Sequence, residues 1–146
     1  NKQKGLTLFV AILITGTLLL VSMAIISLSV KQAFLSSSAR ESQYAFYAAD
    51  TGAECAMYWD ITNNSFSTTT GNPTIYCLGT YPGVSKVVVN NSGTSTFNMR
   101  FQSEPYYVEV LVAKTIDGKT KIESLGYNTN DTNNPRRVQR AVRVTY

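Results

Sequence analysis

Asp50 and Glu54 stand four residues apart, the spacing that places two carboxylates on one helix face, where a pair could share general acid and base work. The chain has no histidine, so such chemistry would have to rest on carboxylates, lysines or a Ser–Lys pair. No phosphate-binding loop, GxSxG elbow or dinucleotide fingerprint accompanies the two acids. Solvation of a helix surface accounts for them equally well. The expectation is a chain that is not an enzyme and holds no cofactor.

The remaining chemistry-bearing residues are few. Cys55 and Cys77 can form one bridge or stay as two buried thiols, and without histidine they cannot complete a zinc site. A bridge would close a loop worth on the order of 3 kcal/mol in chain entropy. Asn128, Asn130 and Asp131 offer oxygen ligands of the kind calcium takes, but in no EF-hand pattern, and turn chemistry favours the same residues. Asn63, Asn90 and Asn130 each begin an N-x-S/T triplet, a glycosylation signal where the machinery exists. Arg136, Arg137, Arg140 and Arg143 could meet phosphate, a surface or DNA, or pair with Glu109 and Glu123 on neighbouring strands. The second use is the simpler one.

What must position these residues begins with an apolar run. Leu6 to Val30 carries no charge, and its 25 residues exceed the roughly 20 that a helix needs to cross a bilayer core. It is also longer than the apolar region of about 7 to 15 residues in a secretory signal, so it is read as retained. Lys2 and Lys4 precede it, and Lys31 and Arg40 follow at wider spacing, which favours a cytoplasmic N-terminus with residues 31–146 exported. An exported location is where a cystine survives, so Cys55 and Cys77 are expected to be bridged, tying the helix end to the loop that precedes the sheet. The net charge of +4 comes wholly from residues 61–146, a surplus too small to be a nucleic-acid footprint by itself.

The run continues without a stop signal. Small or apolar residues recur at Leu35, Ala39, Ser42, Ala45, Ala49, Gly52, Ala53, Ala56 and Trp59, with Gln32, Arg40, Glu41, Gln43, Asp50 and Glu54 opposite. The spacing predicts one helix from about Gly5 to about Asp60. Gly52 costs about 1 kcal/mol of helix propensity, which close packing of another backbone, or a local kink, would explain. Residues 61–85 are rich in Ser, Thr, Asn, Gly and Pro and read as loop, with too few apolar side chains to hold themselves in place. Short apolar runs follow at Lys86–Val89 and Phe97–Phe101. Beyond them, Tyr106–Ile116 and Lys119–Tyr127 flank Asp117-Gly118, a two-residue hairpin signal. In the last strand Val138, Val142, Val144 and Tyr146 share a face on which Arg140 is the exception.

The basic residues, Gly5 and LTLFVAILITGTLLL together resemble the leader and N-terminal helix of type IV prepilins. Ser36–Trp59 (SSSARESQYAFYAADTGAECAMYW) and residues 121–146 (KIESLGYNTNDTNNPRRVQRAVRVTY) resemble the helix and closing strands of PilX-type minor pilins. The resemblance implies cleavage between Gly5 and Leu6 by a prepilin peptidase, with methylation of the new N-terminus. Val10 stands where most pilins carry glutamate, a residue that PilX-type minor pilins often lack, and Leu6 stands where phenylalanine is usual.

The expected fold is therefore α+β and pilin-like, a long N-terminal helix, membrane-spanning in its first half, packed on a C-terminal antiparallel sheet of about four strands. Residues 1–5 would be the leader, 6–30 the membrane and filament-core helix, and 31–146 the exported domain, comprising helix 31–60, loop 61–85 and sheet 86–146. Leu6, Phe9, Ile12, Gly16, Leu19, Ala24 and Leu28 would line the filament core, with Thr7, Thr15, Gly16, Thr17, Ser22, Ser27 and Ser29 allowing close approach. The expected function is a structural subunit, major or minor, of a type IV pilus or related secretion filament. Its partners would be the membrane before assembly, then copies of itself or other pilins. The alternative is a permanently anchored, single-pass binding or adhesion domain that never polymerises.

Overall fold

The structure, a computed structural model, describes residues 2–69, 73–79, 82, 85–89, 92–102 and 104–146, with the backbone alone described at 2–5 and 85–89. The first element is a single helix, α1 (Lys2–Asn63). Five strands follow: β1 (Ser85–Val89), β2 (Ser92–Arg100), β3 (Tyr107–Lys114), β4 (Thr120–Tyr127) and β5 (Gln139–Thr145). The chain divides into two compact units, residues 1–39 and residues 40–146.

The first unit is helix throughout its described length, and Leu6–Ala39 is exposed at every position. In the second unit the strands form one antiparallel meander in the order β1-β2-β3-β4-β5. The α+β architecture is the expected one, with β1 as a fifth strand at the edge. The strands arise from strict alternation. Val108, Val110 and Val112 of β3 and Phe97 and Met99 of β2 turn inward, while Glu109, Leu111, Thr96 and Asn98 turn outward. Register follows from this, with Phe97 opposite Val110 and Val112 opposite Ile122. At the β3–β4 turn Gly118 takes a left-handed φ of 79°, and its N–H donates to Thr115 O at 3.0 Å. That turn is longer than the two-residue hairpin the sequence suggested, because Lys114 pairs with Thr120.

The outer half of α1 covers the sheet with alanine. Ala45, Ala48, Ala49, Ala53 and Ala56 are all buried, and α1 is helical without interruption through Gly52. A Cβ on Gly52 would lie 2.5 Å from both Val108 Cγ1 and Ser124 Oγ, so the close-packing explanation is the right one. Gly126 on β4 is the counterpart, since a Cβ there would run into the backbone of Ala45 and Ala49. Two glycines, one on each layer, therefore let helix and sheet approach more closely than side chains would permit.

The buried face begins later than the periodicity implied. Leu35 and Ala39 are exposed and Ser42 only half-buried, and the buried face starts at Ala45, which lies against Gly126. The segment after the helix is also less passive than its composition suggested. Phe66 and Ile75 are among the most deeply buried side chains, and Phe66 stacks on Phe97 at 6.1 Å between centroids. Burying each contributes about 1.5–3 kcal/mol, enough to fasten a polar segment at two points. Asn64, with φ 48°, ends the helix in the left-handed conformation that asparagine tolerates.

Candidate functional site

The feature that dominates the molecule is the apolar half of α1. One helix is long and apolar enough to cross a membrane, and its most apolar window buries nothing against the rest of the chain. Leu6, Phe9, Ile12, Leu19, Ala24 and Leu28 are all exposed, and nothing lies within 4 Å of where a Gly16 Cβ would be. The hydroxyls that interrupt this surface turn back onto their own helix. Thr15 Oγ1 donates to Ala11 O at 2.9 Å, Thr17 Oγ1 to Ile14 O at 2.9 Å and Ser22 Oγ to Leu18 O at 2.8 Å. Ser27 Oγ donates to Ala24 O and Ser29 Oγ to Ile25 O, each at 2.9 Å. An unpaired hydroxyl in an apolar medium costs several kcal/mol, so this back-bonding makes the segment compatible with hydrocarbon surroundings. The Gly5–Leu6 peptide lies within the helical backbone near its start.

In the second unit three centres fasten α1 to the rest of the domain, two of them polar and one a cystine. At the far end Asp60, 5% exposed, is met at Oδ2 by Lys114 Nζ at 2.6 Å and by the Tyr146 hydroxyl at 2.7 Å. Lys114 Nζ also donates to Thr120 Oγ1 at 2.7 Å, and the backbones of Thr120 and Tyr146 exchange hydrogen bonds. The cluster joins the helix end to β3, β4 and the end of β5. Burial first, and then the hydrogen bond to Asp60, push the Tyr146 phenol well above its ordinary value. Nothing in the sequence marks Asp60 as special, because its partners lie 54, 60 and 86 residues away.

The second centre is the cystine. Cys55 and Cys77 are bridged, with Cα atoms 6.1 Å apart, within the span such bonds ordinarily occupy. Trp59 Nε1 donates to Tyr76 O at 3.0 Å beside the bridge, so the returning segment is fixed to α1 by one covalent and one polar tie.

The third centre is Asn128, buried at the other end of the sheet. Its Nδ2 donates to Glu41 Oε2 at 2.9 Å and to Arg136 O at 3.0 Å, while its Oδ1 accepts from Val138 N at 2.7 Å. Its oxygen is thus committed to the backbone, and Asp131 Oδ1 accepts from Asn133 N at 2.9 Å in a local turn. Among the described residues no group of three or more His, Cys, Asp or Glu side chains converges. Of the three N-x-S/T asparagines, Asn63 and Asn130 are exposed and Asn90 lies outside the described residues.

The arginines divide. Arg143 Nη2 reaches Glu123 Oε1 at 3.1 Å, and this bond, with Lys121 behind it, lowers the Glu123 carboxyl below its usual range. Glu109 accepts from the Tyr127 hydroxyl at 3.2 Å. Arg137 lies 3.9 Å over the Tyr127 ring. Arg140, the apparent misfit on the inner face of β5, donates from Nε to Ser42 Oγ of α1 at 2.8 Å. Val142 and Val144 pack beside it against the core as expected. Asp50 is half-buried and Glu54 exposed on α1. On the outer sheet face Thr96, Asn98, Tyr107, Glu109, Leu111, Glu123 and Leu125 line a shallow open groove.

Compared with known proteins, the chain matches no family model, no curated protein and no solved structure.

Proposed function

We propose that this chain is a structural subunit of a type IV pilus or related secretion filament, held in a membrane by the first half of α1 before assembly. One observation carries the reading: Leu6–Val30 is an uncharged helical surface that finds no cover in its own chain, and it continues as one helix into a stretch already packed on a folded domain. Such a surface needs an apolar host, first lipid and then the equivalent helices of neighbouring subunits. Gly16, Ala24 and the back-bonded hydroxyls are the small residues by which helices approach closely without lipid between them. The basic N-terminal flank would place residues 31–146 outside the cytoplasm, and the Cys55–Cys77 bridge suits that side.

Prepilin peptidase and the other filament subunits are the partners this reading requires. The test introduces a charge into the proposed core with Gly16→Asp or Ala24→Asp. Sheared surface filaments, seen by electron microscopy and immunoblotting, should disappear while the subunit still fractionates with the membrane. Normal filaments carrying either variant would overturn the reading. Wild-type chain found only in the membrane, with filaments intact in its absence and devoid of it, would establish the permanently anchored domain instead.

A further inference from the structure

The ion pair at the far end of α1 is close, enclosed and one-sided. Lys114 Nζ lies 2.6 Å from Asp60 Oδ2, with the Asp60 side chain 2% exposed and that of Lys114 18%. The donors around the carboxyl group converge on this same oxygen, since the Tyr146 hydroxyl reaches it at 2.7 Å and the Thr120 hydroxyl at 3.4 Å. Thr120 Oγ1 also accepts from Lys114 Nζ at 2.7 Å, so it stands as a proton path between the amine and Oδ2. Asp60 Oδ1, by contrast, is buried with no hydrogen-bond partner among the described residues. The ion pairs of Glu123, whose side chain is 30% exposed and whose partners are more exposed still, have no such enclosure.

We infer that Asp60 and Lys114 are the two halves of an intramolecular isopeptide bond, formed by condensation of the Lys114 amine with the Asp60 carboxyl group and loss of one water. The inference goes beyond the proposed function and requires neither a filament nor a membrane. The bond would join the end of α1 covalently to β3, across 54 residues of sequence.

A bare, buried Oδ1 disfavours the carboxylate, whose charge is shared by both oxygens, and favours any form in which Oδ1 is a neutral carbonyl. Transfer of one proton from Nζ to Oδ2 gives such a form, a carboxylic acid beside a neutral amine. The amine is then a nucleophile held against its electrophile. Its lone pair forms the Nζ–Cγ bond while a second proton leaves Nζ for the Thr120 hydroxyl, which passes its own to Oδ2. The Cγ–Oδ2 bond breaks, and Oδ2 departs as water with both protons. Nζ keeps the third as the amide N–H, and Oδ1 becomes the amide carbonyl. The Tyr146 phenol donates to Oδ2 and stabilises it as it leaves. Thr120 and Tyr146 end unchanged, and no oxidant or external reagent is consumed.

The full chain in detergent is reduced, alkylated and digested with trypsin, and the peptides are sequenced by mass spectrometry. Residues 41–86 and 101–119 should be recovered as one branched species, lighter than their sum by one water, with no cleavage after Lys114. Lys114→Met should return the Asp60 peptide to linear form. Tyr146→Phe and Thr120→Val keep both reacting groups and should lower the branched fraction severalfold, whereas Lys121→Met, which removes a partner of Glu123, should leave it unchanged. Wild-type chain giving separate linear peptides, with cleavage after Lys114, would overturn the proposal whatever the variants do. So would loss of one water confined to a linear peptide, as from ring closure at Asp117-Gly118.

Discussion

Replacing Gly126 with alanine should break the contact between α1 and the sheet at its tightest point. Gly126 does not have a positive φ, so glycine is needed there for space and not for backbone freedom. The added methyl would overlap Ala45 O and Ala49 N, which are helix backbone and can yield only if α1 moves as a body. Overpacking of this kind costs about 1–3 kcal/mol and more where the obstruction is rigid. Restriction of the unfolded chain returns about 0.4–1 kcal/mol. A net loss of about 2–3 kcal/mol is expected, equivalent to a fall in melting temperature of roughly 10 °C for a unit of this size.

Gly52→Ala makes the instructive comparison. Its methyl meets the ends of the Val108 and Ser124 side chains, which can adjust, and helix propensity improves by about 1 kcal/mol, so the loss should be smaller. Urea unfolding of the full chain in detergent, followed by the fluorescence of Trp59, the sole tryptophan, measures both. Gly126→Ala unfolding within about 0.5 kcal/mol of wild type would refute this close packing of helix on sheet.

Three further outcomes are expected, two from the structure and the last from the proposed function. Cys55→Ser with Cys77→Ser should lower stability by about 2–5 kcal/mol and open residues 61–79 to limited proteolysis, read by gel and mass spectrometry, with membrane insertion unchanged. Because burial and Asp60 raise the Tyr146 phenol above its ordinary 10.0, the folded state prefers it neutral. Its contribution should be complete below pH 10 and decline as pH rises beyond, and Tyr146→Phe should flatten that alkaline fall in urea midpoints. The intact mass of subunits recovered from filaments should correspond to loss of residues 1–5, and a mass retaining Lys2 and Lys4 would refute cleavage at Gly5–Leu6.

The features of this fold legible in the sequence are those fixed by short-range rules. Helical periodicity marked the alanine face of α1, a short apolar run marked part of β2, the Asp117-Gly118 turn with its flanking stretches marked β3 and β4, and Gly52 stood out because a glycine inside a helix needs a reason. The cystine followed from compartment and loop composition. Long-range chemistry was not legible. Asp60 ends a helix much as a surface acid would, and only the fold brings Lys114 and Tyr146 to it. Asn128 reads as a turn residue, and Gly126, in a strand, carries no sign of the helix backbone lying over it.

The way α1 lies on the sheet also determines how the domain would respond to being pulled. A tensile load applied along the part of α1 that belongs to the second unit, from Arg40 onward, runs parallel to the seam of alanines and glycines from Ala45 to Asp60. The seam is then loaded in shear, so its contacts resist together and do not fail in succession. Behind it stand the Asp60 clasp and the cystine, the second of which cannot slip without chemistry. Drawn sideways by β5, by contrast, the same domain would unzip, each backbone pair giving way in turn from the sheet edge. Toughness in this domain is therefore directional, greatest along the axis of its own helix.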